Sequence, residues 1–560
     1  MNKLQIVGRL IAAIFVVGAA PLSADVTMPG IFGDHMVLQQ DAKLPVWGTA
    51  QAGEKVTVSV GSSIGNTVAD ADGNWMVKLA PLPVGAAPLT MTVAGKNTLK
   101  FEDVLVGDVW VCSGQSNMGF SMADAHNATT ELPQANDPQL RFYRVPSKVS
   151  LKPLTTVSGT WVLCTPETTK GFSAVGYFFG RELRTHLNRP IGLIGTYWGG
   201  TVAQAWTSLD ALKKDPVLKH YVDAHDKIMA GYTPQAVAEF QPALAAYQAQ
   251  RNKWETEVNL PFKDKLRAWN EAAMKAKADN QPLPPKPGPI PLAPKAVVAP
   301  DGGQNAPANL FNAMIAPLIP YAIKGAIWYQ GEGNGGQPVE YRSLFGDMIT
   351  DWRQHWGQGD FPFLFVQLAK FKAPNPNWAE LRNSQLKTLE LPNTGMATAI
   401  DIGDLNDIHP KDKIDVGQRL VLVARHVAYG ENLVYSGPIF DKITVTGDKI
   451  RVSFTQLGGG LIIGSAPWAP PDAIPIPTTS LIGFTVAGTD NKWVPADAKI
   501  EGDSVVVSSP QVPQPVAARY AFESATGNLY NKEGLPAIPF RSDQGGEAQP
   551  PPAPVLPTAK

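Results

Sequence analysis

Between residue 25 and about residue 100, apolar and polar side chains alternate in short runs. Examples are Lys55-Val56-Thr57-Val58-Ser59-Val60, Trp75-Met76-Val77-Lys78-Leu79 and Leu89-Thr90-Met91-Thr92-Val93, separated by Gly, Asp and Asn. A period of two turns one face of each run toward a core, so the spacing predicts a small β-domain over 25–100. From Asp103 the alternation gives way to largely apolar runs: Val104 to Cys112, Ile191 to Thr196, Gly325 to Tyr329, Phe363 to Gln367 and Met396 to Ile400. These are interleaved with helix-like segments, a pattern that predicts an α/β domain over 101–430 whose largely parallel sheet is covered on both faces.

The α/β pattern is interrupted at about 208–300. An Ala-, Lys-, Glu- and Gln-rich stretch there leads into Gln281 to Pro300, which holds eight prolines. This reads as a helical insertion ending in a stiff, extended linker. After Gly430 the period returns to two, in Ile443-Thr444-Val445, Ile450-Arg451-Val452-Ser453-Phe454 and Ser504-Val505-Val506-Val507, which predicts a second β-domain over 431–543. The Pro-, Gly- and Ala-rich residues 544–560 read as a disordered tail.

Composition narrows the function. A chain of 560 residues with 44% hydrophobic content fills several cores rather than one. Its formal net charge of −1, with 17% charged residues, provides no broad attraction for nucleic acid or for an anionic membrane surface. Lys3 and Arg9, the apolar stretch Leu10 to Ala20, and the small residues at Leu22-Ser23-Ala24 form a secretion signal spanning 1–24, cleaved near Ala24. A periplasmic or secreted location follows as an expectation. The apolar stretch is shorter than the ~20 residues that cross a bilayer, and no later segment predicts a membrane span. An oxidising compartment permits a disulfide between Cys112 and Cys164, and two buried thiols fit equally well.

The chemistry centres on one turn. Asp108 to Cys112 runs as a strand straight into Ser113-Gly114-Gln115-Ser116-Asn117-Met118, and open α/β sheets place their chemistry at the carboxyl ends of such strands. A serine hydroxyl is a weak nucleophile and needs a base beside it and donors for the oxyanion. Of the eight histidines, His409 follows a strand-like run late in the sheet and precedes Pro410 and a helix. Near it are Asp404 and Asp407, while Glu332 stands at another strand end; each fits equally well as a loop or helix cap.

The string GQSNM after an apolar strand resembles the nucleophile block of the sialate O-acetylesterase family and its acetyl xylan esterase relatives. Phe32 to Trp47 (FGDHMVLQQDAKLPVW), Tyr197 to Thr201, Trp328 to Glu332, Asp407 to Pro410 and Asn528 to Arg541 (NLYNKEGLPAIPFR) resemble that family in the same order. The resemblance implies an SGNH-hydrolase, flavodoxin-like parallel-sheet domain flanked by N-terminal and C-terminal β-sandwich-like domains. It also implies a serine esterase that hydrolyses acetyl esters on carbohydrate through an acyl-enzyme on Ser116, with His409 as base and with neither cofactor nor metal. Gly200 and Asn334 fit the oxyanion donors beside the Ser116 amide, and Gln115, Gln330 and Glu332 fall in the blocks that form the substrate pocket.

SGNH enzymes usually carry the acid three residues before the histidine, where this chain has Asn406. Asp407 is then the first choice for the third member, with Glu332 and Asp404 as the other carboxylates. A metal hydrolase is a weak rival, because one histidine beside Asp404 and Asp407 is a poor zinc set. A non-catalytic carbohydrate-binding protein, using some of the 14 Trp and 13 Tyr as stacking platforms, is the rival from another class. Among substrates, acetylated sialic acid calls for a strong donor to its carboxylate. No arginine lies inside the Ser116, Gly200, Asn334 or His409 blocks, so neutral acetylated xylan or xyloglucan stays open beside it.

Overall fold

The computed structural model describes residues 25–543 except 291, 296, 298, 373–376, 467, 470–475 and 524. The secretion signal read at 1–24 and the tail read at 544–560 lie outside the described residues.

The fold is mixed α/β, with one large sheet rich in parallel strands and several separate antiparallel β-sheets. Seven strands form the path that carries the site: β1 (Thr98–Gly114), β2 (Asp137–Arg144), β3 (Trp161–Cys164), β4 (Ile191–Tyr197), β5 (Gly325–Tyr329), β6 (Phe363–Gln367) and β7 (Thr394–Thr398). Their order is β7-β6-β5-β1-β4-β2-β3, parallel from β7 to β2, with β3 antiparallel at the edge. Every residue of β4, β5, β6 and β7 is buried, as expected of parallel strands covered on both faces.

Side-chain alternation divides the two faces. Trp110 of β1 pairs with Gly325 of β5, and Ser113 with Trp328, so the two tryptophans point to opposite sides. Trp110 meets Phe179 of helix Ala174–Leu187, and that helix packs on Ile414–Val427. Trp328 meets Phe345 and Trp352 of helix Glu340–Trp356 on the other side. The sheet is therefore a middle layer between two helical layers.

β1 is also a strand of the N-terminal β-layer. Its first half pairs with Gly85–Ala94 and, at Leu105–Gly107, with Val37–Gln39. The chain passes without interruption through residues 100–101, where the change in pattern places a boundary. Val56, Val58 and Val93 belong to the same buried cluster as Trp110, Trp328 and Phe365. The C-terminal β-region has a cluster of its own around Val452, Phe484, Val505, Tyr520 and Phe540. It is tied to the α/β layers at Asp401, which accepts from Arg419 at 2.6 and 2.8 Å and from Tyr530 at 3.0 Å.

The insertion is helical in Lys219–Gly231, Pro234–Trp254, a π-helical segment at Glu255–Asn259, and Leu260–Ala278, with Tyr232 and Thr233 extended between the first two. The described residues from 281 to 299 have no regular structure, and the Trp269 indole donates to the Pro284 carbonyl at 3.0 Å. Cys112 and Cys164 are two separate buried thiols, so of the two readings left open above the structure has the unbonded one. No helix among the described residues is long and apolar enough to cross a membrane.

Candidate active site

β1, β4 and β5 end level with one another: Gly114 pairs with Tyr197 on one side and Tyr329 on the other. The chain reaches β4 and β5 on opposite sides of β1, which makes the end of β1 a topological switch point. Gly114 adopts φ +134°, and a Cβ there would lie 2.2 Å from the Tyr329 carbonyl oxygen, so only glycine turns the chain at this point. Gln115 then fastens the turn to β5: its amide donates to the Tyr329 carbonyl at 3.0 Å, and its Oε1 accepts from the Gly333 amide at 3.1 Å.

Ser116 is half-buried immediately past this turn. His409 arrives from the loop between β7 and helix Ile414–Val427, and its Nε2 lies 2.8 Å from Ser116 Oγ. Asp407 Oδ1 accepts from the His409 backbone amide at 2.9 Å and stands 3.7 Å from Nδ1, longer than a hydrogen bond. Burial raises the Asp407 carboxyl, but His409 and Lys411 outweigh it and hold the group below its ordinary range. Asp404 accepts from the Asn406 amide at 2.8 Å within its own loop.

Glu332 lies deeper. Its Oε1 accepts from Asn117 Nδ2 at 2.5 Å, and its buried Oε2 has no hydrogen-bond partner among the described residues. Burial pushes this carboxyl above its ordinary value, against the pull of Asn117, His409 and Lys413. Asn117 Nδ2 also donates to the Ile408 carbonyl at 3.0 Å, and Asn117 Oδ1 accepts from Lys413 Nζ at 2.6 Å. The Lys413 ammonium is wholly buried, 4.7 Å from the Phe120 ring centre and 5.2 Å from that of Tyr329. Burial pushes it down to about 7, with Glu332, Asp407 and Asp412 opposing.

The loop after β4 closes the other side. Gly199 approaches Ser116 so closely that a Cβ there would sit 3.4 Å from the serine Cβ, and Gly200 adopts φ +72°. Gln304 and Asn305, just past the insertion, donate to the Gly199 and Gly200 carbonyls at 3.1 and 3.3 Å. The amides of Ser116, Gly199 and Gly200 donate to no protein acceptor among the described residues. Asn334 Oδ1 accepts from the Ala203 amide at 2.9 Å and from Gln330 Nε2 at 2.7 Å, while its Nδ2 donates to Gln204 at 3.0 Å. Gln330, read as a pocket residue, is fully buried between Thr201, Asn334 and Tyr341 and braces Asn334 from behind.

Ser116, His409 and Asp407 are thus brought together directly, Glu332 joins them through Asn117, and Gly200 and Asn334 lie in the loops that follow β4 and β5 beside them. Asn117, Lys413, Gln204, Gln304 and Asn305 were not singled out from the sequence. For Asn117 the signal was its place in the GQSNM string. A loop lysine or glutamine, by contrast, reads as solvated until the fold is known.

A half-buried serine hydroxyl bonded to an imidazole nitrogen, near backbone amides with no protein acceptor among the described residues, at the switch point of a parallel sheet, has the layout of a carboxylic ester hydrolase. Comparison with known proteins agrees. A family model described as carbohydrate esterase, sialic acid-specific acetylesterase, matches residues 301–424. The chain is 33% identical over 468 residues to the sialate O-acetylesterase of Mus musculus, covering 75% of this chain and 77% of that protein. It is 31% identical over 465 residues to the Homo sapiens counterpart, covering 75% of each. A solved carbohydrate acetylesterase from Xanthomonas citri superposes with a TM-score of 0.72 at 36% identity, covering 93% of this chain and 100% of that one. The chain belongs to the sialate O-acetylesterase family and is a carbohydrate O-acetylesterase.

Proposed function

We propose that this enzyme removes acetyl groups from carbohydrate through an acyl-enzyme on Ser116, and the observation that carries the reading is the 2.8 Å contact between Ser116 Oγ and His409 Nε2. His409 takes the hydroxyl proton as Oγ attacks the acetyl carbonyl. The oxyanion is met by the Ser116 and Gly200 amides and by the remaining N–H of the Asn334 side chain. Collapse of the tetrahedral species passes the proton from His409 to the departing sugar hydroxyl. Water then attacks the acetyl-serine with His409 again as base, releasing acetate. Asp407 holds the His409 loop through the backbone amide and stabilises the imidazolium by charge. Gln115 and Glu332 organise the pocket from beneath.

The parallel-sheet core is read as SGNH-type, with β-domains at 25–100 and 431–543 on either side of a catalytic domain at 101–430. Residues 1–24 are read as a secretion signal that delivers the enzyme to the periplasm or medium.

The first substrate class is O-acetylated sialic acid, supported by the names of the mammalian relatives. Acetylated xylan or xyloglucan is a second reading, favoured by the state of Arg144. This guanidinium, two strands from β1, donates to the Gly195 and Tyr197 carbonyls at 3.3 and 2.9 Å and stacks 3.7 Å above the Tyr197 ring, which occupies it away from a sialate carboxylate. Acetate release from acetylated sialosides, xylan and xyloglucan separates these substrates. Ser116→Ala is expected to abolish release from all of them while leaving thermal unfolding unchanged; substantial residual turnover would remove the nucleophile assignment.

A further inference from the structure

Lys413 is a poor candidate for a buried residue, because an ammonium loses several kcal/mol of hydration unless it is well compensated. Its compensation is specific. Nζ donates to Asn117 Oδ1 at 2.6 Å, and the faces of Phe120 and Tyr329 lie 4.7 and 5.2 Å away. At the other end of the same amide, Nδ2 donates to Glu332 Oε1 at 2.5 Å and to the Ile408 carbonyl at 3.0 Å.

An asparagine amide can be rotated end for end with almost no change of shape, so its direction is set by its partners. Here the rotated amide would press Oδ1 against a carboxylate and a carbonyl and aim its NH2 at an ammonium. Every contact would turn repulsive. The Ile408 carbonyl, which can only accept, admits one direction, the charged forms of Glu332 and Lys413 reinforce it, and in that direction Asn117 bridges two chain segments. Asn117 follows Ser116, and Ile408 precedes His409, so the bond from Nδ2 to the Ile408 carbonyl couples the residues next to the nucleophile and the base.

We infer that Lys413 is a positioning residue of the esterase, which acts through Asn117 to hold the Ser116 and His409 loops at reacting distance. The inference rests on the assignment of Ser116 and His409 given above. Lys413 touches neither substrate nor reacting atoms, so its removal acts on the chemical step and not on binding. Misplacement of reacting groups by about 1 Å can cost ~100-fold in rate. For Lys413→Met, kcat on a small activated acetate is accordingly expected to fall about 10- to 100-fold, with KM changed less than about twofold.

Because Lys413 works through the amide, Asn117→Leu should give a similar loss, and the Lys413→Met/Asn117→Leu pair should be no worse than the poorer single variant. Multiplying losses, a change confined to KM, or a Lys413→Met enzyme with normal kcat would each overturn the role. If Lys413→Met alone does not fold, Lys413→Met/Glu332→Gln removes both charges at nearly constant volume. A kcat in that folded chain well below that of Glu332→Gln alone supports the inference, and a kcat equal to that of Glu332→Gln alone overturns it. Ser116→Ala is measured alongside. An active Ser116→Ala enzyme overturns the nucleophile assignment, whereas an inactive one beside a normal Lys413→Met enzyme overturns only the role of Lys413.

Discussion

Ser116, His409 and Asp407 sit where water reaches them, with the His409 and Asp407 side chains 36% and 39% exposed. Asn117 and Lys413, next to them in the chain or in space, are buried, and Glu332 is half-buried with its Oε2 shut away from water. Charge costs little in the outer group, and its carboxylate stands 3.7 Å from the imidazole without a direct bond. Charge costs a great deal in the inner group, where the contacts tighten to 2.5 and 2.6 Å and leave one arrangement. The outer group can therefore exchange protons with substrate and water, while the inner one keeps it in place.

The contrast can be tested from its strongest effect to its weakest. His409→Ala should lower kcat by about 10³-fold or more, and adding Ser116→Ala should cost little further, because the two act as one unit. Additive losses on a small acetate ester would mean that His409 works elsewhere.

Next come the two carboxylates, one from each group. Asp407→Asn is expected to lower turnover about 10²-fold, since the charge beside the imidazolium is lost, and Glu332→Gln should be milder because Gln can still accept from Asn117. A reversed ranking in steady-state assays would make the inner carboxylate the partner of His409.

The smallest effect is on stability. Lys413 titrates at about 7 in the fold and at about 10.4 in an unfolded chain. Between those values the unfolded state binds the extra proton, so unfolding free energy rises with pH from about 7 to 10. Asp412, raised to about 8 by burial and by Asp415, acts with the opposite sign up to about pH 8, within the same window, so the comparison is between wild type and Lys413→Met. Wild type should gain denaturation midpoint from pH 7 to pH 9 relative to the variant; parallel curves would contradict a depressed Lys413.

The outer group was legible in the sequence because its residues lie in short strings at strand ends, where periodicity and motif agree. The inner group was not. Lys413 stands in a charged loop, Lys411-Asp412-Lys413, that reads as solvated, and it is buried only because Phe120 and Tyr329 arrive from distant segments. Gln330 reads as a pocket residue from its place at a strand end. Tyr341 and Asn334, which enclose it, come from a helix and a loop whose approach no local pattern records. The change of pattern near residue 100 is real, yet a hydrogen-bonded ladder continues across it, because backbone pairing does not register which face a side chain serves.

That ladder ties the position of the nucleophile to the order in which the chain is made. The first half of β1 completes its partners with residues already synthesised, while the second half must wait for β4 and β5, the latter more than two hundred residues downstream. The same continuity removes any tolerance for slippage. A one-residue error of register in the N-terminal layer would carry Ser116 about 3.3 Å along the strand axis and turn β1 over, so an enzyme misassembled far from its active site would be born without a nucleophile.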